Sequence, residues 1–352
     1  RLLPWQNGPY VWPTREPASA LASALRSLAP SSFAFVTDSN VGPLHAAPLL
    51  EELARAGSVP SVSITLPPGE QEKSFEGLQR VLEQLARAKL DRSSVVVAMG
   101  GGVVSDLAGF AASIYLRGVP WIAVPTTLLA QVDASVGGKT AIDLLGAKNV
   151  IGSFHPPRAV IVHPGFVKTE ALRAQRSGLS EVLKVAAIGD VELFEILERH
   201  PSVLEDPSLL EDVVRRSIEA KRVVVERDPT EQGVRMWLNF GHSFGHALES
   251  LGGFERFTHG ESVAAGMLVA LALGTLAGRT EPGVLERVRA VLLRSGCVPP
   301  LRREDFVDAC AFLGADKKRR GASLSLVELA QIVCAHVHPW PLPELEATLP
   351  RA

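Results

Sequence analysis

Residues 94–106, Ser-Val-Val-Val-Ala-Met-Gly-Gly-Gly-Val-Val-Ser-Asp, decide the fold of the first half of the chain. The apolar run at 94–99 is short and rich in β-branched residues, which is the pattern of a strand buried on both faces. Three glycines follow at once, and the residues behind them open a helix. This order is typical of a parallel sheet whose helix N-terminus receives an anion, although a tight strand-to-helix turn alone would give the same pattern.

The alternation of strand and helix continues on both sides of this stretch. Strand patterns occupy 33–38, 62–66 and 121–125, and helical spacing occupies 49–55 and 74–88. From about Phe166 onward helical patterns prevail, until a strand pattern returns at Ser323. We therefore predict an α/β fold with two domains: a Rossmann-like N-terminal domain with a mostly parallel sheet at 1–165, and an all-α C-terminal domain at 166–352.

The composition is that of an ordinary globular protein. The chain has 352 residues, 46% of them hydrophobic and 21% charged, and the formal net charge is −2. This near-neutral balance argues against a nucleic-acid or anionic-membrane binder. The three cysteines follow no disulfide or metal spacing, and the N-terminus carries no apolar leader segment, so we expect a cytoplasmic protein with reduced thiols. The apolar stretch at 262–278 is short and rich in small residues, which favours a core helix over a membrane span.

Two further motifs have anion-binding character. Pro125-Thr126-Thr127 follows a strand end, where its hydroxyl groups either bind a cofactor or cap a helix. Lys139 and Lys148 lie near the glycines at 137–138, where they meet an anion as point charges or lie solvated on a loop. The spacing is not that of a Walker A loop.

The sharpest feature is the run Asn239-Phe-Gly-His242-Ser-Phe-Gly-His246, followed by His259. Histidines four residues apart share one face of a helix, and imidazole is a preferred zinc ligand. Because no cysteine lies nearby, an open catalytic metal site fits better than a closed structural one. Glu181 is a candidate carboxylate ligand, since Glu181 and Lys184 interrupt an apolar helix; the alternatives are core or capping histidines and a surface ion pair.

Other charged residues have a plainer interpretation. Lys221, Asp228, Glu231 and Arg235 precede the histidine run, and by themselves they read as a solvated helix and turn. The charge run at 316–320 reads as a solvated loop.

Taken together in order and spacing, the motifs resemble those of the 3-dehydroquinate synthases, within the sugar phosphate cyclase family. The resemblance covers the chain from about Val36 to Leu326. The stretches that carry it are 69–74, 100–110, 115–118, 125–133, 135–140, 148–152, 181–184, 238–246, 259–261 and 316–318. The segment after Thr169 departs from the family pattern, as does Ser105 where glycine is usual.

The resemblance implies a role for each matching residue. The implied metal ligands are Glu181, His242 and His259. The implied NAD-binding residues are Asp38, Asn40, Glu70, Lys73, Gly101, Gly102, Asp106, Thr126, Thr127, Lys148, Phe166 and Thr169. The implied catalytic residues are His246, Lys184, Asp133, Lys139, Asn149 and Asn239, and the implied substrate-binding residues are Arg117, Lys221, Arg235 and Lys318.

The resemblance also implies an activity. A homodimer with NAD and zinc, or cobalt, would convert 3-deoxy-D-arabino-heptulosonate 7-phosphate into 3-dehydroquinate and phosphate, a step of the shikimate pathway toward the aromatic amino acids. Three alternatives stay open: a related cyclase acting on sedoheptulose 7-phosphate, a more distant metal-dependent alcohol dehydrogenase, and an inactive scaffold of the same fold. The lysines and arginines among the implied residues would concentrate positive charge for a phosphorylated sugar acid.

Overall fold

The chain divides into two compact units, Arg1–Glu170 and Ala171–Ala352. The structure is a computed structural model that describes residues 10–310, 313, 319–320 and 323–349. The strands of the first unit are β1 Tyr10–Pro13, β2 Phe33–Asp38, β3 Val62–Leu66, β4 Val95–Gly100, β5 Trp121–Pro125, β6 Lys139–Leu144, β7 Ala147–Phe154 and β8 Ala159–Val162. Its helices are α1 Pro17–Leu28, α2 Ala47–Arg55, α3 Phe75–Arg87 and α4 Gly102–Ile114.

The first unit is built on a parallel sheet of six strands in the order β1-β8-β5-β4-β2-β3. Every residue of β2, β4, β5 and β8 is buried, whereas the edge strand β3 alternates between buried and exposed positions. Strands covered on both faces must be apolar throughout, which is why apolar runs marked β2, β4 and β5 in the sequence. The short strand β8 was not predicted. The predicted α/β class is confirmed.

The hairpin formed by β6 and β7 differs from the sequence prediction. Both strands pair antiparallel, with Lys139 opposite Phe154, and they form a separate two-stranded sheet. From the sequence, Lys139 and Lys148 are predicted near a glycine turn or on a loop. Five of the eight residues of β7 are exposed and none is fully buried, so its sequence lacks the continuous apolar run of the central strands.

The second unit is mainly helical. Its helices are α5 Leu172–Gly189, α6 Val191–Arg199, α7 Pro207–Arg227, α8 His242–Leu251, α9 His259–Leu276, α10 Val284–Arg294, α11 Arg303–Cys310 and α12 Leu342–Thr348. It is not all-α, however, because β9 Arg319–Arg320, β10 Ser323–Gln331 and β11 Cys334–Pro341 form an antiparallel sheet. The buried ion pair of Glu328 on β10 with Arg279, 2.6 Å from Glu328 Oε2 to Arg279 Nε, fixes this sheet beside the end of α9.

Helix α9 is the core helix of the second unit. Among the described residues it is the one helix that is long and apolar enough to cross a membrane, with a mean hydropathy of 1.3, but 61% of it is buried within the protein. It packs against α5 and α8. A largely buried apolar helix is what the core of a globular domain requires, so its composition is weak support for a membrane span.

Two glycines allow α8 and α9 to approach closely. Gly241 precedes α8 with φ = +80°, a left-handed conformation that glycine adopts without strain. Its carbonyl oxygen lies directly against Gly266 of α9, where a Cβ atom would collide with it. Residue 266 therefore has to be glycine for the two helices to pack at this distance.

We predict that Gly266→Ala destabilises the protein by about 1–3 kcal/mol or more, because the added methyl group forces the two backbones apart. Gly189→Ala at the end of α5 is the matched control, since its Cβ atom would make an ordinary 3.7 Å contact with Ala220. Thermal denaturation of the three proteins measures the difference. An unchanged melting temperature for Gly266→Ala would contradict the close packing.

Candidate functional site

The start of α9 is capped locally and is anchored to α5 by two further interactions. Thr258 caps α9 through a reciprocal pair of hydrogen bonds with Glu261, and the Gly260 N–H donates to Ser177 Oγ over 2.8 Å. Arg173 of α5 forms a bidentate ion pair with Glu261, with N–O distances of 2.7 and 2.8 Å. Together these contacts fix the first helical residue, His259, over the middle of α5.

Three side chains from α5, α8 and α9 converge within the second unit. Glu181 Oε1 lies 3.8 Å from His242 Nε2 and 3.6 Å from His259 Nε2. One ligand atom from each residue lies within 4.8 Å of the other two. The sequence marked the same three residues, and the structure brings them together although 78 positions separate Glu181 from His259 (259 − 181 = 78).

The chemistry of these donors fits a divalent metal ion. Glu181 is 1% exposed, and its Oε1 atom accepts no hydrogen bond from the described residues. Zinc binds imidazole nitrogen and carboxylate oxygen at about 2 Å, so donor atoms 3.6–3.8 Å apart leave room for such an ion. Two histidines and one carboxylate leave coordination positions open for a substrate, as in catalytic rather than structural zinc sites.

The same cluster is tuned electrostatically to hold a cation. Burial alone lowers the pKa of His259, but the negative charges of Glu249 and Glu181 outweigh burial and raise this pKa to about 10. Lys184, only 2% exposed, forms an ion pair with Glu181 Oε2. The Glu181–Lys184 pair is therefore buried, which excludes the surface ion pair that the sequence left open.

His246 lies one helical turn beyond His242, at the edge of this cluster. Its ring centroid is 5.5 Å from that of His242 and 6.5 Å from that of His259. Among the described residues the three-ligand group does not include it. The geometry thus separates the two histidines of α8, which sequence spacing alone could not do.

The polar residues upstream of the histidine run are more ordered than the sequence suggested. Asp228 accepts hydrogen bonds from the backbone N–H groups of Gln232, Gly233 and Arg235, at 3.0, 2.6 and 3.1 Å. The Asn239 amide donates to Glu231 Oε1 at 2.6 Å. Lys221 and Arg235 are 7% and 2% exposed, so neither belongs to a solvated surface.

The first unit places four of its predicted cofactor residues at or just beyond the carboxyl ends of β2 and β4: Asp38, Asn40, Gly101 and Gly102. These two strands are neighbours, with Val36 paired to Ala98. The sheet then grows in opposite directions, since β3 is added beside β2 and β5 is added beside β4. Open parallel sheets bind ligands at this kind of reversal. Asp38 ends β2 and accepts from the backbone N–H groups of Asn40 and Val41 at 2.8 and 2.9 Å.

Neighbouring side chains leave little room for a Cβ atom at the first two glycines of the turn that follows β4. A Cβ atom at Gly100 would collide with Val104, and one at Gly101 would lie 3.2 Å from the Thr127 methyl group. The first turn of α4 begins at Gly102, and helix N-termini leave backbone N–H groups for an anion. The glycine turn thus has the expected strand before it and the expected helix after it, and anion binding there stays a prediction.

Lys73 joins several of the predicted residues into one cluster. Its ammonium group lies 2.8 Å from Asp106 Oδ2, 2.5 Å from Asn149 Oδ1 and 3.5 Å from Glu70 Oε1, and Lys148 lies 3.7 Å from the same Glu70 oxygen. Burial lowers the pKa of Lys73, but the surrounding carboxylates raise it further, so this lysine remains an ammonium ion. Asn149, predicted as a catalytic residue, here bonds to a predicted cofactor residue.

Phe166 and Thr169 lie together at the end of the first unit. The Phe166 ring is flanked by His45 and His163, with centroids 4.7 and 4.8 Å away, and His45 Nε2 lies 2.6 Å from Thr169 Oγ1. His45 was not predicted from the sequence. It lies only five positions beyond Asn40, but a lone histidine in a helical segment carries no motif.

The remaining predicted residues lie in several different elements of the chain. Thr126 follows β5 and donates its backbone N–H to Gly100 O at 2.9 Å. Arg117 lies in a turn with φ = +69°, Asp133 lies in a short helical turn, and Lys139 begins β6. Lys318 and the rest of 314–318 lie outside the described residues.

One residue of the second unit was missed altogether. Glu249 of α8 is 1% exposed, and its Oε2 atom lies 3.3 Å from His259 Nδ1. It is spaced three residues from His246 and seven from His242, so it shares their helix face. That spacing, together with the presence of a carboxylate in the mostly apolar segment 247–251, could have indicated from the sequence that Glu249 belongs to the cluster.

Comparison with known proteins agrees with this arrangement. The family models described as 3-dehydroquinate synthase N-terminal and C-terminal match residues 63–177 and 178–319. A 3-dehydroquinate synthase of Nitrosospira multiformis is 42% identical over 310 residues, covering 87% of this chain and 84% of that protein. That of Dictyoglomus turgidum is 43% identical over 286 residues, covering 80% of each.

Among solved structures, the 2-epi-5-epi-valiolone synthase of Streptomyces hygroscopicus subsp. jinggangensis 5008, with NAD+ and Zn2+ bound, has a TM-score of 0.87 at 29% identity. The comparison covers 100% of this chain and 98% of that one. A 2-deoxy-scyllo-inosose synthase has a TM-score of 0.89 at 23% identity over 100% of this chain and 99% of that one, and shares the fold.

The fold is therefore that of the sugar phosphate cyclases, and the protein is an enzyme of that type. Within this class, the two family models and the relatives agree on one family. The chain belongs to the 3-dehydroquinate synthase family.

Glu170 of the first unit provides a pH-dependent test of the structure. Its Oε2 atom accepts the backbone N–H of Leu128 at 2.9 Å, and burial raises the pKa of its carboxyl group from 4.5 to about 7. The folded protein therefore binds a proton that the unfolded chain releases between these two values, so folding stability decreases as the pH rises through this window.

We expect Glu170→Gln to remove this dependence. Its melting temperature, relative to that of the wild type, should rise as the pH is increased from 5 to 8. Glu51→Gln, which replaces an exposed glutamate of α2, controls for the loss of one negative charge. Parallel pH profiles for wild type and Glu170→Gln would show that the carboxyl group is not buried as described.

Proposed function

We propose that the protein converts 3-deoxy-D-arabino-heptulosonate 7-phosphate into 3-dehydroquinate and inorganic phosphate, using NAD and zinc, with cobalt as an alternative metal. The observation that carries the proposal is the convergence of Glu181, His242 and His259 beside the buried Lys184. Membership of the 3-dehydroquinate synthase family and the NAD+ and Zn2+ named for the valiolone synthase support it.

The two units would divide the work. When bound, NAD accepts a hydride from the substrate and later returns it, while zinc polarises a substrate hydroxyl group. In the first unit, the turn at Gly101 and Gly102 would receive the pyrophosphate, with Asp38 and the Lys73 cluster positioned around the nucleotide. In the second unit, Glu181, His242 and His259 would hold the metal.

Recognition of the substrate carboxylate is assigned to Lys221 and Arg235. Both are almost completely buried, and a buried cation favours an anionic ligand because water screens the pair poorly. The guanidinium group of Arg235 matches the planar geometry of a carboxylate. Further polar and charged contacts to the substrate are assigned to Arg117, Asp133, Lys139, Asn149, Asn239 and Lys318.

Proton handling is assigned to Lys184 and His246. Lys184 holds its ammonium group against Glu181, next to the oxygen atom that faces the two histidines. His246 lies one turn from His242, where an imidazole can give or take a proton near neutral pH. Both residue types suit general acid–base catalysis when their surroundings tune them.

The cellular setting is part of the same proposal. We propose a cytoplasmic homodimer, with no nucleic-acid or membrane partner. Among the described residues Cys297 and Cys334 are both free thiols, which suits a reducing compartment. The homodimer rests on the family resemblance.

The second candidate is a cyclase that acts on sedoheptulose 7-phosphate, because the valiolone synthase is among the similar structures. That substrate has no carboxylate. The buried cations Lys221 and Arg235 would then have no substrate carboxylate to bind, which favours the heptulosonate phosphate as substrate. The intact cluster around Glu181 argues against an inactive scaffold.

Release of inorganic phosphate tests the function directly. With 3-deoxy-D-arabino-heptulosonate 7-phosphate and a trace of NAD, we expect many turnovers and no net accumulation of NADH, because the hydride returns to the same molecule. Chromatography should identify 3-dehydroquinate. Turnover of sedoheptulose 7-phosphate instead would favour the second candidate, and stoichiometric NADH would indicate a dehydrogenase.

We predict that Arg235→Met lowers kcat/KM for the heptulosonate phosphate at least tenfold, because a charge-assisted hydrogen bond contributes roughly 1.5–3 kcal/mol. Arg215→Met, which removes an exposed arginine paired with Asp212, is the matched control and should leave kcat/KM unchanged. A wild-type value for a folded Arg235→Met would refute the carboxylate assignment.

A further inference from the structure

We infer that Glu249 is a positioning residue for the metal centre: its buried carboxylate orients His259 so that Nε2 points at the metal position. The inference rests on the proposed function, because it deepens the metal site of that function. Glu249 lies on α8 and His259 begins α9, so the interaction joins two helices.

The His259 ring lies between two carboxylates. On one side, Glu249 Oε2 is 3.3 Å from Nδ1, and on the other side Glu181 Oε1 is 3.6 Å from Nε2. Both carboxylates are 1% exposed, so water cannot substitute for either. The ring is therefore held by groups that face its two nitrogen atoms separately.

This arrangement selects one form of the imidazole. A metal ligand must offer a lone pair, so the nitrogen facing the metal position must be free of its proton. If Nδ1 carries the proton and donates it to Glu249, Nε2 keeps its lone pair for the metal. A charged acceptor also makes the imidazole a stronger ligand than a neutral acceptor would.

His242 provides an internal comparison. Its Nδ1 atom lies 3.2 Å from the Phe240 carbonyl oxygen, and its Nε2 atom faces the same Glu181 oxygen at 3.8 Å. Both histidines thus have an acceptor behind Nδ1 and Glu181 ahead of Nε2. The acceptor at Nδ1 is a neutral carbonyl oxygen for His242 and the Glu249 carboxylate for His259. This difference is the basis for assigning a positioning role to Glu249.

Glu249 is not itself placed as a ligand. Its oxygen atom lies on the Nδ1 side of His259, away from the Nε2 atom that faces Glu181. The ligand group found among the described residues holds Glu181, His242 and His259 only.

The test is zinc affinity, measured by chelator competition on the full-length protein without substrate or NAD. We expect Glu249→Ala to weaken zinc binding about 10- to 100-fold. Glu249→Gln should lose less, because its amide oxygen still accepts the Nδ1 proton. Glu328→Gln, which alters a buried glutamate paired with Arg279, is the matched control and should bind zinc as the wild type does.

The melting temperature of each metal-free variant separates positioning from a structural role. A role in packing alone would lower the metal-free melting temperature of Glu249→Gln and leave its zinc affinity at the wild-type value, which would overturn the inference. A zinc affinity of folded Glu249→Ala equal to that of the wild type would also overturn it. Glu249→Gln preserves shape and so remains measurable where Glu249→Ala does not fold.

Failure of the proposed function has a different signature. His259→Ala should lose zinc almost completely, and His246→Ala should keep it. If the wild type and His259→Ala bind zinc equally weakly, the metal site itself is wrong and the inference fails with it. If the wild type binds tightly, His259→Ala does not, and the Glu249 variants match the wild type, only the role of Glu249 is refuted.

Discussion

The close approach of α8 and α9 is the constraint on which the second unit depends. Gly241 and Gly266 bring the two backbones together, and Gly260 brings the start of α9 against Ser177 of α5. Only at this spacing do side chains from three helices reach one another. Glycine makes no side-chain contact at these positions, and its contribution is that it allows the helix backbones to pack this closely.

That geometry brings several charges out of water. Glu181, Lys184, Glu249, Lys221 and Arg235 are all buried in the second unit. Removing one partner of a buried ion pair typically costs about 3–5 kcal/mol, whereas apolar replacements of a whole pair can be neutral. A helical domain chosen for stability alone would not need these groups, so their burial is better explained by binding than by folding.

How far the sequence predicts the structure depends on the kind of signal. The strands at 33–38 and 121–125 were predictable because both-face burial demands continuous apolar residues. The edge strand at 62–66 was predictable because its apolar and polar residues alternate. The β6–β7 hairpin was not, because its exposed positions give no continuous apolar run. Of the C-terminal sheet, the strand that begins at Ser323 was predicted, but the pairing of β9 and β11 with it was not. The cluster of Glu181, His242 and His259 was foreseen through motifs, but Glu249 was not, because its role depends on a contact between two helices that spacing does not show.

The two units handle charge in opposite ways. In the first, one buried ammonium group, Lys73, is already satisfied by Asp106, Asn149 and Glu70 at hydrogen-bonding or ion-pair distance. In the second, one buried carboxylate oxygen, Glu181 Oε1, faces two imidazole nitrogens too far away to hydrogen-bond. The contacts of the first cluster lie within the protein, so it would hold the proposed nucleotide site in place before any ligand binds. In the second, Glu181 Oε1 accepts no hydrogen bond from the described residues, so a cation that binds Glu181, His242 and His259 at once would stabilise the folded state by its own binding free energy.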